Sequence, residues 1–244
     1  MKALQVITLV GLLAMTVYNY IAPDAIGFQE PSLARILFWH LPCAILTLVF
    51  IVLIAVFGVL YLVKRDLKWD SWLGAGVEMG AVMGAVTMAT GIVFSKAQWQ
   101  LWWQWDPRQT SFLMVLFLFA VGLVLRGGFS DEKQRAAVSS AYSVLTLLPA
   151  FFLILVFPRL PQVLQNSVHP TTTVQQGSMD EYYRGGVLGS LLFLSIAVLH
   201  CFLLRAKAAR LDIMVNNRHG LENGDGQHPT PTGVVRPVAL SEER

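Results

Sequence analysis

Apolar residues in this chain come in long blocks and not at the period of an amphipathic helix or strand. Six runs are free or nearly free of charge: Ala3 to Ile21, Ile36 to Val63, Ser71 to Ser95, Pro107 to Leu125, Ala136 to Phe157 and Gly185 to Leu204. A hydrocarbon core of roughly 30 Å needs about 20 helical residues to cross it, so each run has the length of a transmembrane helix. In lipid every backbone polar group must be satisfied within its own segment, which leaves helices as the spanning form for runs of this length. The predicted fold is all-α, a polytopic membrane bundle of six transmembrane helices over residues 1–210. The first run follows Lys2 like a signal peptide, but it is longer than the usual apolar region of about 7–15 residues and reads as a retained helix. Residues 211–244, rich in Gly, Pro, Asn and charge, have too little apolar surface to fold and are predicted to form a disordered tail.

Composition sharpens this picture. Of 244 residues, 55% are hydrophobic and 14% charged, against roughly 25% charged in soluble domains, which excludes a water-soluble domain and a disordered chain. The net charge of +3 does not point to nucleic acid, because its distribution has a topological meaning. Lys2, Lys64, Arg65, Lys68, Arg126, Lys133, Arg135, Arg205, Lys207 and Arg210 make ten cations on one side, and Arg35, Lys96, Arg108, Arg159 and Arg184 make five on the other. Both termini are therefore predicted to be cytoplasmic, and the connections 22–35, 96–106 and 158–184 to face outward. Cys43 and Cys201 lie apart in apolar runs and form neither a disulfide framework nor a CxxC or CxxCH motif. In the third run, Gly76, Gly80 and Gly84 form a small-residue row that suits close helix packing, within the bundle or between subunits. Glu78, acidic within a span, needs water, a cation from the adjoining loop, or protonation.

The outward connections carry the candidate chemistry. Trp99, Trp102, Trp103 and Trp105 crowd one loop and read either as part of an interfacial aromatic belt or as a π-faced platform for a flat ligand. A short helix would set Trp99, Trp102 and Trp103 on one face. Asp106, Pro107 and Gln109 reproduce a helix start, with Asp106 at the N-cap and Gln109 as capping-box partner. His40, followed by the helix-perturbing Pro42, and His169, in the long outer connection, fall on the tryptophan side, whereas His200, His219 and His228 are assigned no function. Two histidines beside a tryptophan platform have the composition of a bis-imidazole metal site, with haem as the flat ligand that uses both. Arg35 and Arg108 add cations that either mark the headgroup boundary or pair with propionates.

The run Trp99-Gln100-Leu101-Trp102-Trp103-Gln104-Trp105-Asp106-Pro107-Arg108 resembles the tryptophan-rich signature of the haem-handling membrane proteins of cytochrome c maturation. With six spans, His40-Leu41-Pro42 preceded by Arg35, and His169, the resemblance over residues 30 to 210 is to the haem exporter protein C (CcmC) family. Gln100 stands where that signature usually has glycine. The resemblance implies a multi-pass protein of the bacterial inner membrane that is no enzyme. It would bind haem b transiently and without a covalent bond on its periplasmic face, with His40 and His169 as axial ligands. Trp99, Trp102, Trp103, Trp105, Asp106, Arg108 and Arg35 would contact the porphyrin. Its implied partners are a periplasmic haem chaperone, an ATP-binding-cassette complex and a small membrane subunit. A cytochrome c synthetase subunit shares the signature but usually carries more spans and helix-borne histidines, and a haem-free permease or scaffold would use the tryptophans as a belt.

Overall fold

The computed structural model describes residues 2–169 and 179–222. Helix α1 covers Lys2–Ile21, and a 3-10 turn at Pro31–Ile36 leads into α2, Leu37–Lys64. Helix α3 covers Leu67–Trp99 and α4 covers Pro107–Gly127. Helix α5, Glu132–Phe151, continues through a π-helical turn, Phe152–Val156, and a 3-10 turn, Phe157–Arg159. After the one-turn α6, Pro161–Leu164, the chain is described again up to α7, Glu181–Glu222. Six segments are long and apolar enough to cross a membrane, and no strand occurs among the described residues. The connections after α1, α3 and α5 share one end of the bundle, hereafter the site end, and the start of α1 and the last turns of α7 lie towards the other.

Several boundaries lie outside the sequence expectation for local reasons. Arg65, with φ 55, closes α2 by donating its N–H to the Tyr61 carbonyl, and Asp66 then caps α3 by accepting from Lys68 N. α3 thus begins four residues before Ser71 and takes Asp70 inside. α7 runs on past residue 210 to Glu222, and residues 223–244, where most of the disordered tail is predicted, lie outside the described residues, as do the side chains of His219 and His228. Pro42 sits in the second turn of α2, where it withholds a donor from the Phe38 carbonyl without ending the helix.

Helices α2 and α3 form the centre, with α5 and α7 against α2 and α4 against α3, while α1 packs mainly on α7. The glycine row settles its own role. A Cβ at Gly76 would lie 2.7 Å from Ile54, one at Gly80 2.5 Å from Phe119, and one at Gly84 2.8 Å from Leu116, so the row faces α2 and α4 inside the bundle. A small gap of about 20 Å3 lies between α2, α4 and α5, bordered by Ile54, Phe119 and Tyr142, room for about one water.

Charge in the membrane is paired across helices. Glu78 is neither solvated by a loop nor left single: Arg205 of α7 grips it in a two-pronged pair at 2.6 and 2.7 Å. Asp70 is fully buried and receives Arg126 of α4 at 2.6 Å and Arg135 of α5 at 3.1 Å, tying three helices at the end opposite the site. Gly74 gives Arg126 its room, since a Cβ there would come within 2.5 Å of the guanidinium. Replacing Asp70 by Asn would leave two guanidinium groups uncompensated. Breaking a buried pair costs about 3–5 kcal/mol; with the arginine side chains 17% and 22% exposed, we expect the lower limit, about 3 kcal/mol, for D70N in reversible unfolding in detergent. A loss below about 1 kcal/mol would refute the tie.

Candidate functional site

At the site end a cavity of about 590 Å3 opens between α2, α3 and α4, walled by the segment after α1, the end of α5 and the start of α7. Its size falls in the range of small-molecule and cofactor sites. Aliphatic and aromatic side chains form much of its wall, and the polar groups that line it include His40, Asp106, Arg108 and His169, with Asp24 and Asp180 at the connections.

Each polar group is aimed by a local device. His40 stands in the first turns of α2 with Nδ1 2.9 Å from Thr90 Oγ1 of α3. Asp106 is the N-cap of α4, as the sequence predicts: Oδ1 accepts from Arg108 N at 2.8 Å and more weakly from Gln109 N at 3.4 Å. Gln109, however, does not close a capping box. Its side chain turns to the tryptophan loop, accepting from Gln104 N at 3.3 Å and donating to the Trp102 carbonyl at 3.4 Å. The second Asp106 oxygen, Oδ2, accepts from Ser167 Oγ at 2.9 Å and from Val168 N at 2.8 Å. Ser167 Oγ in turn accepts from His169 N at 3.3 Å. One carboxylate therefore starts α4 and holds the segment that presents His169.

Burial pushes the His169 imidazole from 6.5 down to about 3, with the nearby charges of Arg108 and His40 acting in the same direction. A neutral imidazole at physiological pH is what a metal ligand requires. Arg108 has two buried nitrogens, Nε and Nη2, that meet no partner. Such donors cost free energy unless an acceptor fills the place, and a carboxylate on a ligand in the cavity is of the right charge and shape. Arg159 does not compete for that role. Pro158 leaves the Ile154 carbonyl without its helical donor, and Arg159 Nη1 reaches back to Ile154 O at 3.2 Å and Leu155 O at 2.8 Å.

The structure thus gathers His40, His169, Trp99, Asp106 and Arg108 on one cavity. The expected tryptophan helix does not form. Gln100, in the left-handed region at φ 61, ends α3 at Trp99 by donating its N–H to the Lys96 carbonyl. That backbone is the one glycine adopts most easily, which explains why glycine is usual where this chain has Gln100. Trp99 remains on the cavity and packs edge-on against Phe94. Trp102 and Trp105 are 59% and 76% exposed, Trp103 packs edge-on against Trp105, and none of the three lines the cavity. Arg35 is also outside the lining, donating to the Ala22 carbonyl at 2.6 Å and to Asp24 at 2.9 Å. Residues missed by sequence reading include Gln98, fully buried, whose side chain exchanges two hydrogen bonds with the Glu30 backbone and pins the 22–35 connection over α3. A polar residue one position before Trp99 was the available signal. Among the described residues no three His, Cys, Asp or Glu side chains gather that could hold a bare metal ion.

These features define a six-span helical membrane protein with a two-histidine, arginine-bearing cavity at one end of its bundle. The chain belongs to the haem exporter protein C family: the sequence profile described as Heme exporter protein C matches residues 1–222. It is similar to Heme exporter protein C of Paracoccus denitrificans, 29% identical over 139 residues, which is 57% of this chain and 56% of the relative. It is likewise similar to a putative cytochrome c biosynthesis ccmC-like mitochondrial protein of Arabidopsis thaliana, 30% identical over 108 residues, 44% and 42% of the two chains. The chain spans about half the length of these two relatives. Heme exporter protein C of Bradyrhizobium diazoefficiens is 29% identical over 218 residues, 85% of this chain and 80% of that one.

Two outcomes follow for the His169 segment. Asp106→Ala removes both a cap, costing about 1 kcal/mol, and the two bonds to 167–168, so amide exchange at Val168 should lose its protection while the middle of α3 stays protected; persistent protection at Val168 would refute the latch. Acidification should act in the same sense. The opened segment takes up its proton near 6.5 and the closed one only near 3, so the stability present above 6.5 declines as pH falls through that interval, and the protection factor at Val168 should decline with it.

Proposed function

We propose that the protein binds haem b, non-covalently and transiently, in the site-end cavity and hands it on, acting as a carrier in cytochrome c maturation and not as an enzyme. The observation that carries this reading is the meeting of His40, His169 and the unpartnered Arg108 nitrogens on one cavity of about 590 Å3. Two imidazoles alone make a poor site for a bare ion, but they suffice for a metal that brings its own equatorial ligands. Haem supplies that: an iron with four ring nitrogens and two open axial positions, on a flat apolar body ending in two carboxylates.

In this reading His40 and His169 would hold the iron, and Arg108, with Nε and Nη2 unpartnered, would pair with a propionate. Trp99 supplies apolar contact to the porphyrin, and Asp106 acts through His169 by holding the 167–168 segment. Trp102, Trp103, Trp105 and Arg35 act at the rim, outside the lining, as braces of the loop and of the 22–35 segment. Transfer needs the haem to be released as readily as it is held. A ligand borne on a segment fastened by a few hydrogen bonds to Asp106 can leave the iron without disturbing the bundle.

The positive-inside distribution of Lys and Arg supports the inner membrane with the cavity on the periplasmic side. There the recipient is a periplasmic haem chaperone, with an ATP-binding-cassette complex and a small membrane subunit as partners in releasing it.

The test is the absorption spectrum of detergent-purified protein. Wild type should carry a bis-imidazole haem spectrum, and His40→Ala and His169→Ala should each lose bound haem while helix content is unchanged. Unchanged haem in both variants would overturn the ligand assignment. Arg108→Ala should weaken haem binding roughly 10- to 100-fold, the worth of a hydrogen-bonded charge pair, and a colourless wild type reconstituted with haem would sink the function itself.

A further inference from the structure

A histidine can serve a metal from either ring nitrogen, and which one is free depends on what the other one does. His40 Nδ1 lies 2.9 Å from Thr90 Oγ1. The Thr90 hydroxyl has a single proton, and two backbone carbonyls of its own helix compete for it, Val86 O at 2.7 Å and Thr87 O at 3.0 Å. A helical threonine satisfies such a carbonyl readily. With its proton spent on α3, Thr90 Oγ1 can only accept from His40, so Nδ1 carries the imidazole hydrogen and Nε2 keeps the lone pair. The next residue supplies the space. A Cβ at Gly91 would stand 3.2 Å from His40 Cε1 and 3.8 Å from Nδ1, so any larger residue would displace the ring by a few tenths of an ångström.

We infer that Thr90 and Gly91 form a cradle on α3 that fixes the tautomer and position of His40, with Thr90 Oγ1 as the acceptor that leaves Nε2 free for a metal in the cavity. Thr90 is a positioning residue that touches no ligand itself. It acts as the outer partner of a metal-binding imidazole does, by orienting the ring and raising its basicity. The inference rests on the reading of His40 as a haem ligand, but its first part, the tautomer, belongs to the protein without haem.

The experiment uses full-length protein in detergent, with 15N-labelled histidine and ferric haem b as the probe. In the haem-free wild type the His40 ring should be Nδ1-protonated. Thr90→Val, of nearly the same shape but without the acceptor, should shift population to the Nε2-protonated form and weaken haem binding about 10- to 100-fold. Thr90→Ser should restore both, which a packing role would not, since it lacks the methyl group. Gly91→Ala keeps the hydroxyl and crowds the ring, so it should leave the tautomer as in wild type and weaken haem binding. It stands as an independent variant should Thr90→Val fail to fold. An unchanged tautomer in Thr90→Val, or a changed tautomer with unaltered haem affinity, overturns the cradle. Wild-type haem affinity in His40→Ala overturns the ligand reading instead, and the haem-free ring spectrum separates the two failures.

Discussion

The Asp106 carboxylate is the joint on which the site depends. Its two oxygens are divided between two tasks, one satisfying the first amides of α4 and the other the Ser167 hydroxyl and the Val168 amide. A carboxylate at a helix N-terminus is favoured by the dipole as well as by the hydrogen bonds, so the anchor is stable in its own right before it holds anything else. It fastens Ser167 and Val168, the residues that lead to His169, to the start of α4. With it, residues 63 positions apart along the chain meet on one cavity wall, and the aspartate of the tryptophan loop positions the segment that carries His169.

The two ends of the bundle are built differently. At the end opposite the site, Asp70 with two arginines ties α3, α4 and α5, and Tyr61 of α2 donates to the Lys133 carbonyl. At the site end most ties are hydrogen bonds and ring contacts, Gln98 with Glu30, Tyr183 stacked on Phe38 with centroids 4.8 Å apart, and Asp106 with Ser167 and Val168, beside the more exposed Arg35–Asp24 pair. Ionic ties in a low-dielectric medium are hard to open, whereas isolated hydrogen bonds exchange with water at modest cost. The site end is therefore the one whose bonding is easier to loosen.

Much of the architecture was legible because a membrane span needs only composition and length, and both are visible in a string of residues. Assigning each connection to a side then gathered His40, His169 and the tryptophan loop. What failed depended on pairing through space. Glu78 and Arg205 are 127 positions apart and Asp70 and Arg126 are 56 apart, and nothing in one-dimensional pattern links them. The tryptophan spacing suggested a helical face, but Gln100 turns into the left-handed region and scatters Trp102, Trp103 and Trp105 along an irregular loop. Arg35, expected to mark the headgroup boundary or to pair with a propionate, has Asp24 of the 22–35 connection as its partner.

The glycine row of α3 has a consequence for traffic through the molecule. Because a Cβ at Gly76, Gly80 or Gly84 would run into Ile54, Phe119 or Leu116, α2, α3 and α4 close to contact beneath the cavity. A rigid macrocycle cannot thread such a layer without prising three helices apart and exposing their packed faces. The close-packed row therefore favours entry and exit at the cavity's own end over passage along the bundle.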